Sequence, residues 1–375
     1  MAGNDFLANY QNRKLNEIVI PGSHDAGVYT ANKDNVKTQS LDIYLQAFAG
    51  CRFFDLRIAT HKSRVGGQDV YTHKAFHLDQ SLVVDHKVKN TPGISSYQNV
   101  GHAGGWGGGL VQMLNDAKKF VTQNNTEFLI LKFSKSANWS SIAETCIQIL
   151  GNDQYKGGGN LNDKRVQDLA GKVVTVFDES ARDKLAALIR QQVGGHGIMF
   201  IRALYDSETG RSSAYDQNYW GIQYFGKFSS TDDVAKNTAK QTKLLTDGAT
   251  TDIDALGMMY WTTTGLLGNI KNRNDTMWTQ TNVAALQQTW KSGLETAITQ
   301  RFGREKDSAF RLAATTGGAL GGRLKAFMPN IVMMDFVDAN KCSIVEQLNN
   351  VAATTLLKLM VPAPRGPQPH PDPVN

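Results

Sequence analysis

Apolar residues in this chain fall into short runs separated by longer stretches with helical spacing. Runs rich in β-branched and aromatic residues predict strands at Glu17–Ile20, Arg52–Ile58, Phe128–Phe133, Lys172–Phe177, Ile198–Arg202, Gly221–Phe225, Leu256–Trp261 and Asn330–Phe336. Between many of them apolar positions recur every three or four residues. In Leu110–Thr122 the stripe is Leu110, Val111, Leu114, Ala117, Phe120 and Val121. Similar patterns predict helices over Ser141–Leu150, Arg182–Gln192, Asp232–Leu245, Val283–Gln300 and Cys342–Met360. Strands alternating with helices predict an α/β fold with a parallel sheet. Eight strands match the eight positions of a (β/α)8 TIM barrel, here a single domain over residues 1–360.

Three regions interrupt the alternation. His61–Gly109 is long, His-rich and Gly-rich, more than a simple loop needs, and Tyr205–Trp220 is a polar segment with aromatics. Thr315–Gly322 is a run of small residues without the Lys and Ser/Thr of a phosphate-binding loop, so it reads as a flexible loop or a close helix contact. The proline-rich Val361–Asn375 reads as a disordered or extended tail.

Composition narrows the functional classes. Hydrophobic residues make up 41% of the 375 positions and charged residues 20%, as expected of a chain with a real core. No run of about 18 apolar residues predicts a membrane span. Residues 1–10 lack a basic segment leading into an apolar one, which reads as a signal peptide absent or removed. The net charge of +6 favours anionic partners, but Lys and Arg are scattered, so nucleic acid is not expected. Cys51, Cys146 and Cys342 lack metal-site spacing and read as buried or free thiols.

The candidate chemistry lies where predicted strands end. Ile18-Val19-Ile20 runs into Pro21-Gly22, read as a break, and then into Ser23-His24-Asp25-Ala26-Gly27. In such a loop Asp25 can orient His24 or serve another catalytic group. In Arg52–Arg57, strand parity puts Asp55 and Arg57 on one face. Arg57 can grip a phosphate with two donors while Asp55 holds its fork, or the two can form a structural salt bridge. His102 sits in a small-residue loop ahead of the helix at Leu110, and His77 competes for the same role. Asp335, at the end of the last predicted strand, can orient His24 or cap the following helix. Two histidines, an arginine and supporting carboxylates suit phosphodiester cleavage without metal.

The segments Ile20–Gly27, Gly50–Arg57, the His102 loop leading to Leu114–Phe120, Glu127–Ser134 and Met334–Val337 resemble bacterial phosphatidylinositol-specific phospholipases C of the PLC-like phosphodiesterase superfamily. The resemblance covers the first 180 or so residues and the final strand. It implies an irregular (β/α)8 barrel acting on phosphatidylinositol at a membrane surface and releasing diacylglycerol and a cyclic inositol phosphate. It further implies His24 as general base with Asp335 as partner, and His102 as general acid supported by Asp25. Arg57 would bind the phosphate, positioned by Asp55. Calcium-using relatives carry acidic residues where this chain has Arg57, so no metal or other cofactor is expected. Lys132 is the candidate headgroup contact, with Tyr224 and Trp261 as further candidates. Asp178 stands where the resemblance leads one to expect a basic inositol contact. Trp106, Tyr215, Tyr219 and Trp220 could dip into a lipid interface, with core packing as the other reading. A secreted, peripheral, monomeric enzyme is expected. A metal-dependent glycerophosphodiesterase or sphingomyelinase-D-like enzyme, and a non-catalytic lipid- or glycan-binding barrel, stay open as alternatives.

Overall fold

A computed structural model of the chain describes residues 6–78, 80–101, 103–191, 197–206, 211–251, 255–263, 270–288 and 329–360. Eight parallel strands close into a barrel: β1 (Ile20–Ser23), β2 (Phe53–Val65), β3 (Phe128–Ser134), β4 (Lys172–Asp178), β5 (Ile198–Ala203), β6 (Gly221–Phe225), β7 (Leu256–Tyr260) and β8 (Pro329–Met334). Each pairs with its neighbour in sequence order, and β1 closes the ring on both β2 and β8. Each of the eight predicted strands overlaps one of these, although the first shares only Ile20 with β1 and β2 runs on past its predicted end at Ile58.

Strand parity sorts the core into two layers. Phe53, Ile130, Val174, Val176, Met199, Ile201, Ile222, Met258 and Met333 fill the lumen. The alternate positions, among them Phe54, Leu56, Leu131, Phe133, Phe177, Phe200, Met259 and Val332, pack outward against the helices. The helix Leu110–Gln123 joins that outer layer through Leu110, Met113, Leu114, Ala117, Phe120 and Val121, most of the stripe predicted for it. Val111 of that stripe is instead exposed.

One expectation needs correction. Pro21-Gly22 does not break the first strand but forms its middle, in register with Val332 and Met333. A Cβ at Gly22 would stand 2.5 Å from the Met333 sulfur, so the glycine serves close packing in the lumen and not a turn. The stretch from His61 to Gly109, expected to hold more than a simple loop, is largely sheet. β2 runs on past the barrel, turns at Gly66-Gly67 (φ 58° and 84°), and returns as the strand Gln68–His77. Gly105–Gly109 then pairs antiparallel with that strand, and Val84–Lys87 pairs with Ser96–Asn99.

The base of the barrel is held by a buried ion pair. Arg52 Nε donates to Glu127 Oε2 at 3.0 Å, and Arg52 Nη1 donates to the carbonyls of Ala47 and Cys51. Neither charged side chain is exposed. Removing one partner leaves a charge buried without its counter-ion. Glu127→Ala should therefore lower unfolding stability by about 3–5 kcal/mol, read from the urea midpoint. A loss below about 1 kcal/mol would show that the guanidinium is adequately held by carbonyls alone.

Among the described residues no helix is long and apolar enough to cross a membrane. His102, the Thr315–Gly322 run and residues 361–375 lie outside the described residues.

Candidate active site

The C-terminal ends of β1, β2, β3 and β8 bring together His24, Asp25, Asp55, Arg57, Lys132, Ser134 and Asp335. His24 and Asp25 follow β1 directly, and Asp335 follows β8 directly. The two strand ends are tied by the backbone bond from His24 to the Met334 carbonyl, 3.0 Å. Gln39 reinforces that tie: its amide donates to the His24 and Met334 carbonyls and accepts from the Val337 N–H. Asp25 (φ 43°) and Phe336 (φ 49°) take left-handed backbone conformations beside these two acidic positions. Non-glycine residues pay for that geometry in backbone strain, which a functional site can demand.

His24 is 1% exposed, and its partners fix its tautomer. Its Nδ1 lies 2.9 Å from Asp335 Oδ1, and its Nε2 lies 3.3 Å from Arg57 Nη2. A guanidinium only donates, so Nε2 is the accepting nitrogen and Nδ1 carries the proton given to Asp335. The ring stacks on Phe228 at 5.0 Å and meets the edge of Tyr260 at 6.0 Å. Burial disfavours the imidazolium, yet the Asp25 and Asp335 carboxylates outweigh it and hold the His24 pKa above the usual histidine value.

Asp25 occupies the centre of the site. Its Oδ2 receives His77 Nδ1 at 2.7 Å and lies 3.9 Å from His24 Nε2, while its Oδ1 forms an ion pair with Arg57 Nε at 2.7 Å. Burial alone would raise its pKa. The Arg57 guanidinium and the two histidines instead hold it well below the usual carboxylate range. Asp55 pairs with Lys132 at 3.0 Å and accepts from Ser134 Oγ at 2.9 Å. Its carboxyl is likewise kept low against burial, by Lys132 first and Arg57 second, and Lys132 is correspondingly pushed up by Asp55 against its own burial.

The ion pair to Arg57 differs from the sequence expectation: it comes from Asp25, and Asp55 anchors Lys132 and Ser134. Among the described residues, which leave out His102, the second imidazole on Asp25 belongs to His77. His77 reaches it because the glycine-rich strand 105–109 lies directly on the loop after β1. Gly108 N donates to the Gly27 carbonyl at 2.8 Å. A Cβ at Gly107 would fall 2.2 Å from that same carbonyl oxygen, so only glycine permits the approach.

The remaining candidates divide. Tyr224 lines the lumen, and its pKa is raised by burial against the opposing pull of Lys132. Asp178 caps the short helical turn that follows β4, accepting from Ser180 N and Oγ, so its carboxylate is already engaged. Trp261 points away from the lumen, buried, with Nε1 donating to the Met277 carbonyl. Its neighbour Tyr260 faces inward instead, as the alternation Leu256, Met258, Tyr260 would have shown. Of the four rim aromatics, Tyr219 is buried between Arg182 and Arg202, with its hydroxyl donating to Glu179. Tyr215 accepts from Asn160, and Trp106 packs on His61 and Phe76. Trp220 is 41% exposed. Phe228, Thr262 and Asn274 also border the site, and no sequence motif marks them.

One ligand atom each from His24, Asp25 and Asp55 lie within 4.8 Å of one another, the spacing of a cation site. The carboxylates of that cluster already serve Arg57, His77, Lys132 and Ser134. A divalent ion placed there would face the fixed positive charges of Arg57 and Lys132.

No family model matches the chain. A sequence relative, a PI-PLC X-box domain-containing protein of Dictyostelium discoideum, is 25% identical over 218 residues. The match takes in 52% of this chain but spans only 24% of that protein. Among solved structures, the phosphatidylinositol-specific phospholipase C of Listeria monocytogenes superimposes with a TM-score of 0.46 at 13% identity, over 90% of this chain and 95% of that one. A variant of the Staphylococcus aureus enzyme of the same description gives 0.47 at 15% identity, over 93% and 96%. A calcium-dependent phosphoinositol-specific phospholipase C from a Pseudomonas species gives 0.37 at 15% identity, over 69% and 88%.

Proposed function

We propose that the protein is a metal-independent phospholipase C that cleaves phosphatidylinositol to diacylglycerol and inositol 1,2-cyclic phosphate. The observation that carries this reading is the Asp25 carboxylate standing between two imidazoles with a guanidinium at its other oxygen. That arrangement supplies an acid, a base and a phosphate-binding cation within one cluster joined by ion pairs and hydrogen bonds. The partial match to a PI-PLC X-box domain-containing protein supports the same reading.

In this mechanism His24 Nε2 takes the proton of the inositol 2-hydroxyl, and that oxygen attacks the adjacent phosphorus. Arg57 turns its guanidinium from His24 to the phosphate oxygens and offsets the charge that grows on them. The bond from phosphorus to the glycerol oxygen breaks, and His77 gives that oxygen its proton, leaving diacylglycerol. The attacking hydroxyl is already part of the substrate, so the ring-closing step gains from proximity. The imidazolium formed at His24 is held by Asp335 until its proton is lost. Lys132, set by Asp55, and Tyr224 are placed to contact the headgroup from the lumen side, with Asp178 at the rim beyond them. The substrate lies in a membrane, so the enzyme acts peripherally at a lipid surface, as a secreted monomer.

The test is turnover of vesicles containing phosphatidylinositol in excess chelator, beside vesicles of phosphatidylcholine alone. The expected outcome is release of diacylglycerol from phosphatidylinositol at an undiminished rate and none from phosphatidylcholine. Activity abolished by chelator and restored by calcium or magnesium would sink the metal-free mechanism.

A further inference from the structure

The base in the proposed reaction depends on a carboxylate that is itself held in place. Asp335 is wholly buried, and a buried carboxylate needs hydrogen-bond donors for both oxygens. Oδ1 meets His24 Nδ1. Oδ2 accepts from Thr262 Oγ1 at 2.6 Å and from Asn274 Nδ2 at 3.0 Å. Thr262 lies two residues beyond β7, and Asn274 sits on the helix Ile270–Met277. The Thr262 hydroxyl has a second neighbour, Asn274 Oδ1 at 2.8 Å, but only one proton to give. The charged and nearer carboxylate takes it.

Asn274 is built in rather than merely adjacent. It is fully buried, its Nδ2 also reaches the Ile270 and Thr263 carbonyls, and its Oδ1 accepts from Thr263 N. The helix that carries it is pinned at both ends, by Ile270 N to the Asp34 carbonyl and by Trp261 Nε1 to the Met277 carbonyl.

We propose that Thr262 and Asn274 are positioning residues of the reaction, fixing the plane of the Asp335 carboxylate so that Oδ1 receives the His24 Nδ1 proton and Nε2 is left as the base. This rests on the reading of His24 as general base. Without these two donors the Asp335 charge is less offset and draws the His24 proton more strongly. His24 then stays protonated, and unable to act as base, to higher pH. The other charged and titratable groups around the pair stay in place in such variants. They are Asp25, Asp55, Arg57 and Tyr260 about His24, and Lys341, with Asp338, Asp275 and Lys271 near it, on the far side of Asp335.

The experiment uses the full chain carrying Thr262→Val, Thr262→Ser or Asn274→Ala. It reads the His24 ring titration by NMR and kcat/KM against pH on phosphatidylinositol vesicles. Thr262→Val and Asn274→Ala should move the His24 titration to higher pH. They should also lower kcat/KM by about tenfold to a hundredfold, mainly in kcat, since a small misplacement near the chemistry suffices for that loss. Thr262→Ser should restore both readouts. An unmoved His24 titration in both Thr262→Val and Asn274→Ala overturns the proposal, and so does Thr262→Ser behaving like Thr262→Val. If the chain does not cleave phosphatidylinositol at all, the proposed function fails while the NMR titration still decides the positioning role.

Discussion

His24→Ala should lower kcat/KM on phosphatidylinositol by about 10²–10⁴-fold, the range a positioned proton-transfer group contributes. The side chain is buried among Asp335, Arg57, Phe228 and Tyr260, so the variant's melting temperature must be measured beside its rate. His24→Asn serves as a less cavity-forming control and should be equally inactive. The wild-type pH profile carries the same assignment. The base must be unprotonated, and its pKa is raised above 6.5 by Asp25 and Asp335 against burial. The acidic limb of kcat/KM should therefore fall above pH 6.5. A limb centred below that value, or a His24→Ala chain of full activity, would remove His24 from the reaction.

His77→Ala should give the second large loss, about 10²–10⁴-fold on phosphatidylinositol, because the glycerol alkoxide is a poor leaving group without a proton. On a substrate whose leaving group is a thiolate or nitrophenolate, the same variant should recover most of its rate, while His24→Ala should not. That contrast separates the acid from the base. His102→Ala should keep near wild-type activity on both substrates. The reverse pattern, with His102→Ala impaired and rescued by the better leaving group, would return the acid role to His102 and leave His77 as a structural partner of Asp25. His77 is suited to the test because 21% of its side chain is exposed, so a substrate can reach it.

Much of the barrel was legible because period-two alternation and apolar content act over each strand independently. The runs at Phe128, Lys172 and Gly221 therefore matched the structure to within a residue. β1 is shifted from its predicted place because Pro-Gly ordinarily ends a strand, whereas here Pro21-Gly22 continues it in register with β8, and Gly22 leaves room for Met333 on that adjacent strand. The hairpin beyond β2 has one local signal, the Gly66-Gly67 pair of a two-residue turn, but its flanks, such as His61–Arg64 and Gln68-Asp69, are polar and lack the alternation that marks strands.

The candidate site was legible where a residue directly follows a strand, as with His24, Asp25 and Asp335, or lies within one, as with Asp55, Arg57 and Lys132. Pairings within it were not. Which carboxylate meets Arg57 depends on the left-handed turn at Asp25, and the approach of His77 to Asp25 depends on how a hairpin folds back over Gly27. Thr262 and Asn274 could not be read at all. Their role comes from contacts 73 and 61 residues apart in sequence, and neither sits in a patterned motif.

The most direct measurement is ³¹P NMR of the products formed from phosphatidylinositol in excess chelator, followed from the first turnovers. The expected result is a five-membered cyclic phosphate signal appearing first with the wild-type chain and absent with His24→Ala. An acyclic inositol phosphate as the first product, a phosphate left on the lipid, or product only after a divalent cation is added would contradict attack by the inositol hydroxyl through a metal-free histidine base.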